Sequence, residues 1–330
     1  MKNNILVCIG IEGTAHTFGV GIITDGGKIL ADERATYAAE AGKGIIPNEA
    51  REHHKKCSEA LLTNALETAR LDWEDIELIA YSAGPGLPPT LIFTADFAKE
   101  LSKKYKKPLL PVNHCCAHLE IGKLMTGVKD PIYVYLSGGN TQIIAYVGKR
   151  YRIFGETLDI SVGNCFDTVA RKMGLAMPGG PRIEEIAQSG KYVELPYVVK
   201  GMDVSFSGIQ TAAINLLKNG VNKEDVAYSL QETCFAMLTE VTERALAHTG
   251  KNEVLLVGGV AANRRLQEMM KRMCEEREAA AYTVPQRYAG DNGVMIGWTG
   301  LLAYKSGWKF DFKDKIKAKW RIDEIEITWT

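Results

Sequence analysis

Two stretches of this 330-residue chain share one plan, and that plan restricts the fold more than any other feature. Residues 4–35 (NILVCIGIEGTAHTFGVGIITDGGKILADERA) read as an apolar strand, a GTAHT turn, a returning apolar strand and a third strand after a glycine turn. Residues 131–147 (PIYVYLSGGNTQIIAYV) repeat this: strand, Gly/Thr-rich turn, strand; YRIFGETLD then supplies a third strand. Letter-by-letter identity is low, so the duplication lies at the level of structure. After each meander the chain alternates strands with helices, which predicts α/β layers and two lobes. Glycine turns at the strand ends would then face a ligand cleft between the lobes.

The periodicities place further elements on this frame. In the first half, Pro47 to Ala69 has helical spacing, DIELIAYSAGPG reads as a buried strand, and TLIFTADFAKELSKKYKK as a helix with a basic tail. PLLPVNH is a short strand and CCAHLEIGKLM a helix. The second half predicts helices over Val162 to Gly174, Gly208 to Leu217, Lys223 to His248 and Ala262 to Glu278. Residues 1–118 and 119–307 are the expected lobes, with an insertion around 178–210 in the second. Residues 308–330 alternate apolar and charged side chains, which predicts a strand or appendage that docks elsewhere, a tail or a linker.

Charge and cysteine usage exclude several classes. Lysine plus arginine equals aspartate plus glutamate at 40 each, so nucleic acid would have to be held by a local patch or with a partner's help. The seven cysteines are scattered without a CxxC pair, against a disulfide framework or zinc knuckle and for a reducing, cytoplasmic setting. The apolar run at the start is short for a signal peptide, and no stretch approaches the ~20 apolar residues of a membrane span.

Three glycine loops could hold an anion. LSGGNT (Leu136 to Thr141) joins two apolar strands; its glycines permit positive φ and close approach of backbone N–H groups, with Ser137 and Thr141 adding hydroxyls. GTAHT holds the equivalent place in the first repeat, and the pair suits a phosphate clamp, although each also reads as a plain hairpin. In VGGVAANRRL a helix is expected to start near Ala261, with Asn263 in its first turn, suited to a base or sugar or to capping the helix.

Residues 113–120, NHCCAHLE, carry His114 and His118 four apart. On a helix this puts both imidazoles on one face with β-carbons ~6 Å apart, within reach of one metal ion. Two partly exposed histidines bonded to backbone is the other reading. The pair follows a buried strand at an end facing the predicted cleft. Asp291, in the YAGDNGVMIG loop opening the last helix, is the best third ligand, and Tyr135, two residues before the SGG turn, could supply a fourth oxygen. Two histidines and a carboxylate with open positions suggest iron, then zinc. The residue after His114 is Cys115, so the HExxH general base of zinc proteases is missing.

Paired hairpins, a GG strand-to-helix turn and duplicated lobes resemble the superfamily of actin, sugar kinases and the large heat-shock chaperones, with nucleotide held between two ribonuclease H-like halves. Two features depart from its phosphotransferases: Glu12 stands where they carry an aspartate, and they have no use for HxxxH. HCCAHLE, YLSGGNTQ, GNCFDTVAR, MPGGPRIEEIA, KGMDVSFSGIQTA, VGGVAANRRL and YAGDNGVMIGW occur in that order. Together they resemble the universal tRNA N6-adenosine threonylcarbamoyltransferase family over about residues 4 to 307. KGMDVSFSG is similar to the archaeal and eukaryotic branch, the catalytic subunit of the KEOPS complex.

That resemblance implies transfer of a threonylcarbamoyl group from threonylcarbamoyl-adenylate to N6 of the adenosine 3′ of the anticodon, position 37, in tRNAs reading ANN codons, with release of AMP. It implies His114, His118, Asp291 and Tyr135 at the metal, with the first three as the catalytic centre. It implies Tyr135, Leu136, Ser137, Gly138 and Gly139 around the acyl-phosphate, and Asp167, Gly180, Glu184 and Asn263 on the adenine nucleotide. For Asp167 and Glu184, helix-end charges are the alternative. Implied partners are tRNA, a small kinase-like ATPase, a dimerising subunit near the N-terminal helices and a regulatory subunit, with no membrane. Basic residues available for tRNA are Lys103, Lys104, Lys106 and Lys107, Arg171 and Lys172, and Arg264, Arg265, Lys271 and Arg272, each of which also reads as a solvated face. Some archaeal relatives carry the kinase fused at the C-terminus; with only a tail after Gly307, an unfused member or one cut from such a fusion is expected. An ATPase or phosphotransferase of the actin-like fold and a non-catalytic nucleotide-binding scaffold are the competing functions.

Overall fold

The computed structural model describes residues 5–38, 44–308 and 316–329; the expected tail's residues 309–315 and 330 lie outside that set. The chain forms two compact units, residues 1–124 with 148–150 and 290–330, and residues 125–147 with 151–289.

The first unit begins with the expected meander: β1 (Val7–Glu12), β2 (Thr17–Thr24) and β3 (Ile29–Thr36). Helix α1 (Pro47–Ala69) follows, with proline in its first turn, where the missing N–H costs no hydrogen bond. Strand β4 (Leu78–Gly84), α2 (Pro88–Tyr105), β5 (Leu109–Asn113) and α3 (His114–Thr126) come next. The sheet order is β3-β2-β1-β4-β5; β1 pairs antiparallel with β2 and parallel with β4. Each residue of β1, β2 and β4 is buried, as apolar runs covered on both faces should be.

The second unit repeats the plan. Its strands are β6 (Ile132–Leu136), β7 (Thr141–Val147) and β8 (Arg150–Glu156), followed by α4 (Val162–Lys172) and α5 (Gly179–Ala187). A two-stranded ribbon of β9 (Val199–Lys200) and β10 (Asp203–Val204) lies in the expected insertion. Then come α6 (Ser207–Lys218), α7 (Lys223–Thr249), β11 (Glu253–Val257), α8 (Arg264–Glu276), β12 (Ala280–Thr283) and the short α9 (Gln286–Ala289). The sheet order β12-β11-β6-β7-β8 matches that of the first sheet strand for strand. This is the duplicated ribonuclease H-like pattern expected from the two meanders.

The unit bounds differ from those drawn from sequence, because α10 (Gly293–Lys305) returns to the first unit. Glycines make the return possible. A Cβ on Gly10 of β1 would lie 2.1 Å from the carbonyl oxygen of Gly293, and one on Gly21 of β2 would lie 2.2 Å from the amide of Val294. Helix and sheet therefore meet backbone to backbone, and Asp291 is brought to the end of β1.

The tail belongs to the same unit and is no strand over 316–329, where the one regular element is a 3-10 turn at Ile322–Glu324. Trp320, Ile322, Ile325 and Ile327 are buried; this spacing is not the period of two that a strand requires.

Candidate metal centre and its surroundings

The first unit assembles the three expected ligands. His114 is the first residue of α3 and follows β5 directly. Asn113 caps the helix, its Oδ1 accepting from Cys116 N at 3.0 Å, which fixes the first turn and with it the heading of His114. One turn on, His118 lies edge-on to His114 with ring centroids 4.7 Å apart. Asn292 caps α10 through Met295 N at 2.9 Å and so holds the preceding Asp291. Asp291 Oδ1 is 3.2 Å from His118 Nε2 and 3.5 Å from His114 Nε2. One donor atom from each of the three lies within 4.8 Å of the others. That set, two imidazole nitrogens and one carboxylate oxygen in a largely dry site, fits a divalent transition-metal ion.

The sequence marks Glu12 only as standing where an aspartate is usual, and does not show that it lies behind His114. Glu12, fully buried at the end of β1, accepts from Thr14 N at 2.7 Å and Thr14 Oγ1 at 2.6 Å on one oxygen. Its other oxygen is 3.0 Å from His114 Nδ1. A carboxylate on Nδ1 holds the proton there and leaves Nε2 for a metal. The signal was a lone acid closing an otherwise apolar strand, VCIGIE.

Burial opposes charge on His114, but the Glu12 and Asp291 carboxylates outweigh it and raise the pKa to about 9. Burial lowers that of His118, against the opposing pull of Asp291, so this ring is neutral near pH 7. Burial pushes the Asp291 carboxyl up, yet His114 and His118 hold it well below the usual carboxylate range. The metal-free centre thus carries one imidazolium, on His114, flanked by two carboxylates.

The expected nucleotide residues all lie in the second unit. Tyr135 is buried on β6, with its hydroxyl 3.5 Å from Asn140 Nδ2, and Leu136 ends the same strand. The SGG turn is pinned to the start of α4 through Ser161 Oγ, 2.5 Å from Gly138 O, and its Ser137 Oγ accepts from Asn140 N at 3.0 Å. Neither Gly138 nor Gly139 uses the positive φ that glycine permits. Their lack of a side chain leaves open space over the turn. The left-handed residue is Gly258, at φ +91°, where a Cβ would lie 2.2 Å from Leu136 O.

Asp167, Glu184 and Asn263 each serve a helix start. Asp167 Oδ1 accepts from Gly179 N at 2.7 Å, next to Gly180 at the start of α5. Glu184 Oε1 accepts from Arg264 N at 2.9 Å. Asn263 accepts from Arg265 N and Leu266 N and donates to Gln231 Oε1 at 3.0 Å. It is therefore the N-cap of α8 rather than a residue of its first turn; a 3-10 turn, Gly259–Ala262, precedes it. Three of the basic residues considered for tRNA are paired with acids: Arg265 with Glu232, Lys271 with Glu275 and Arg272 with Glu276.

Among solved structures, that of T. kodakarensis HypF superposes with a TM-score of 0.63 at 17% identity, over 92% of this chain and 48% of that one, which supports the actin-like fold and nothing narrower. The sequence comparison is narrower. Residues 28–298 match the family model of tRNA N6-adenosine threonylcarbamoyltransferase. The chain belongs to that family. A threonylcarbamoyltransferase of Thermococcus sibiricus is 55% identical over 98% of this chain and the whole of its own length. The probable bifunctional tRNA threonylcarbamoyladenosine biosynthesis protein of Methanocaldococcus jannaschii is 53% identical, again over 98% of this chain but only 60% of itself. The family span includes His114, His118 and Asp291 and stops inside α10. No described helix is long and apolar enough to cross a membrane.

Proposed function

We propose that this chain, as a tRNA N6-adenosine threonylcarbamoyltransferase, moves the threonylcarbamoyl group of threonylcarbamoyl-adenylate onto N6 of adenosine 37 in tRNAs reading ANN codons. The convergence of His114, His118 and Asp291 carries this reading, because phosphotransferases of the same fold have no use for it. The donor acyl group is already activated by its phosphate, so the protein supplies no covalent nucleophile. N6 forms the new C–N bond to the carbamoyl carbon, the C–O bond to phosphate breaks, AMP departs, and N6 gives up a proton.

A divalent ion held by His114, His118 and Asp291, iron(II) by its donor set and zinc next, would supply Lewis acidity toward the acyl oxygen. Glu12 keeps His114 in the tautomer that presents Nε2. The open turn at Gly138 and Gly139 suits backbone approach to the departing phosphate. The resemblance assigns Asp167, Gly180, Glu184 and Asn263 to the nucleotide, and the helix-start contacts of Asp167, Glu184 and Asn263 would hold them in place for it. The resemblance also assigns Tyr135 to the ion, which a Tyr135→Phe change tests by metal affinity. With zero net charge, tRNA affinity is expected to depend on partners: a small kinase-like ATPase, a dimerising subunit and a regulatory subunit, all in the cytoplasm.

The test supplies threonylcarbamoyl-adenylate, unmodified tRNA and the partner subunits, and reads modified adenosine by mass spectrometry. Wild type should form product and His118→Ala should not. Absence of product from wild type, or product from both, rejects the proposal.

A further inference from the structure

The tail after α10 reaches the metal centre's supports by three separate routes. The first runs through the loop after β4. Lys317 N donates to Ala83 O at 2.8 Å and Gly86 N to Ala318 O at 3.1 Å. Gly84 between them has φ +143°, and a Cβ there would lie 2.0 Å from Lys317 O, so the loop's backbone is shaped to the tail. The next residue, Leu87, donates to Thr14 O at 2.8 Å, and Thr14 is the residue that holds Glu12.

The second route ends at Asn113. Its Nδ2 donates to Trp320 O at 3.1 Å, while its Oδ1 caps the helix that begins at His114. In the third, Trp329 Nε1 donates at 2.8 Å to Glu120 Oε1, two residues beyond His118 and only 2% exposed. Trp308 stacks edge-on to Trp329 at 6.0 Å. Buried Ile322, Ile325 and Ile327 anchor the segment between these contacts.

We infer that this tail is a positioning element for the two imidazoles. It holds α3 on either side of the histidine pair and steadies the loop behind Glu12, so its polar contacts set how tightly the centre grips a metal ion. The inference rests on the proposed metal centre. Supporting contacts of this kind change metal affinity by about 10–100-fold when lost.

Two substitutions isolate the effect. Asn113→Ser keeps a capping oxygen for Cys116 N but loses the donor to Trp320 O. Trp329→Phe keeps an aromatic ring but loses the N–H to Glu120. Zinc affinity is measured by competition with a chelator, alongside melting temperature and amide exchange over residues 114–118. The double variant should bind zinc roughly tenfold more weakly and exchange faster in α3, with melting changed little. Lys319→Ala, on the tail's exposed side, should match wild type. Affinity within twofold of wild type in the double variant overturns the inference and leaves the metal centre standing. A purely structural role would lower melting with affinity unchanged, which also overturns it. Wild type that binds no zinc overturns the metal reading and this inference with it.

Discussion

Replacing Glu12 by glutamine tests the electrostatic design of the centre with a change of one atom. Thr14 N is a fixed donor 2.7 Å from Oε1, so the amide oxygen must take that side. The amide NH2 then faces His114 Nδ1, across the 3.0 Å now bridged by a carboxylate oxygen. Nδ1 must become the acceptor, and the ring proton moves to Nε2, the atom meant for metal. Restoring the useful tautomer leaves one buried polar group without a partner, at about 1–3 kcal/mol. At about 1.4 kcal/mol per tenfold, this weakens metal binding by roughly ten- to a hundredfold. Zinc affinity should be compared near pH 9, where proton competition at wild-type His114 fades. Glu12→Gln binding within twofold of wild type, with unaltered melting, would refute the argument that this carboxylate sets the tautomer.

Three further outcomes follow from the same geometry. Metal must expel a proton from His114 below its pKa of about 9, so affinity should climb about tenfold per pH unit from 7 and level off near 9, measured with proton release in buffers of differing ionisation enthalpy. In the metal-free protein the sign reverses: a histidine pKa raised from 6.5 to about 9 stabilises fully below 6.5 and loses that contribution as pH rises through 9, at most about 3 kcal/mol by linkage, visible as falling melting temperature. Gly10→Ala places a methyl 2.1 Å from Gly293 O, and should cost about 1–3 kcal/mol in denaturant unfolding while weakening zinc binding through displaced Asp291.

Much of this was legible in sequence because it depends on short-range spacing. Pro47–Ala69 shows its helix through its period and its N-terminal proline, and the structure gives the same bounds. His114 and His118 announce a shared face by being four apart, and Asp291 stands out as an acid beside a helix start. Features made by distant backbone were not legible. The tail reads as a strand because it alternates, yet three of its contacts go through the amide of Lys317 and the carbonyls of Ala318 and Trp320, which carry no side-chain signature. The boundary near residue 290 was hidden in the same way, since nothing in the sequence says that the glycines at 10, 21, 293 and 297 let β1, β2 and α10 meet backbone to backbone. For Asp167 and Glu184 the sequence leaves a nucleotide contact and a helix-end charge both open, because the amides of Gly179 and Arg264 that each accepts from lie 12 and 80 residues away.

The first unit is assembled from the two ends of the chain, with the second unit encoded between them. During synthesis the imidazoles of α3 therefore leave the ribosome long before Asp291 and the tail that braces them. A nascent chain halted at residue 289 has two of its three donors, His114 and His118, and no brace. Ion capture should accordingly wait until Asp291 and the tail have emerged, so that products interrupted before them are released unloaded and can be told by their empty centre.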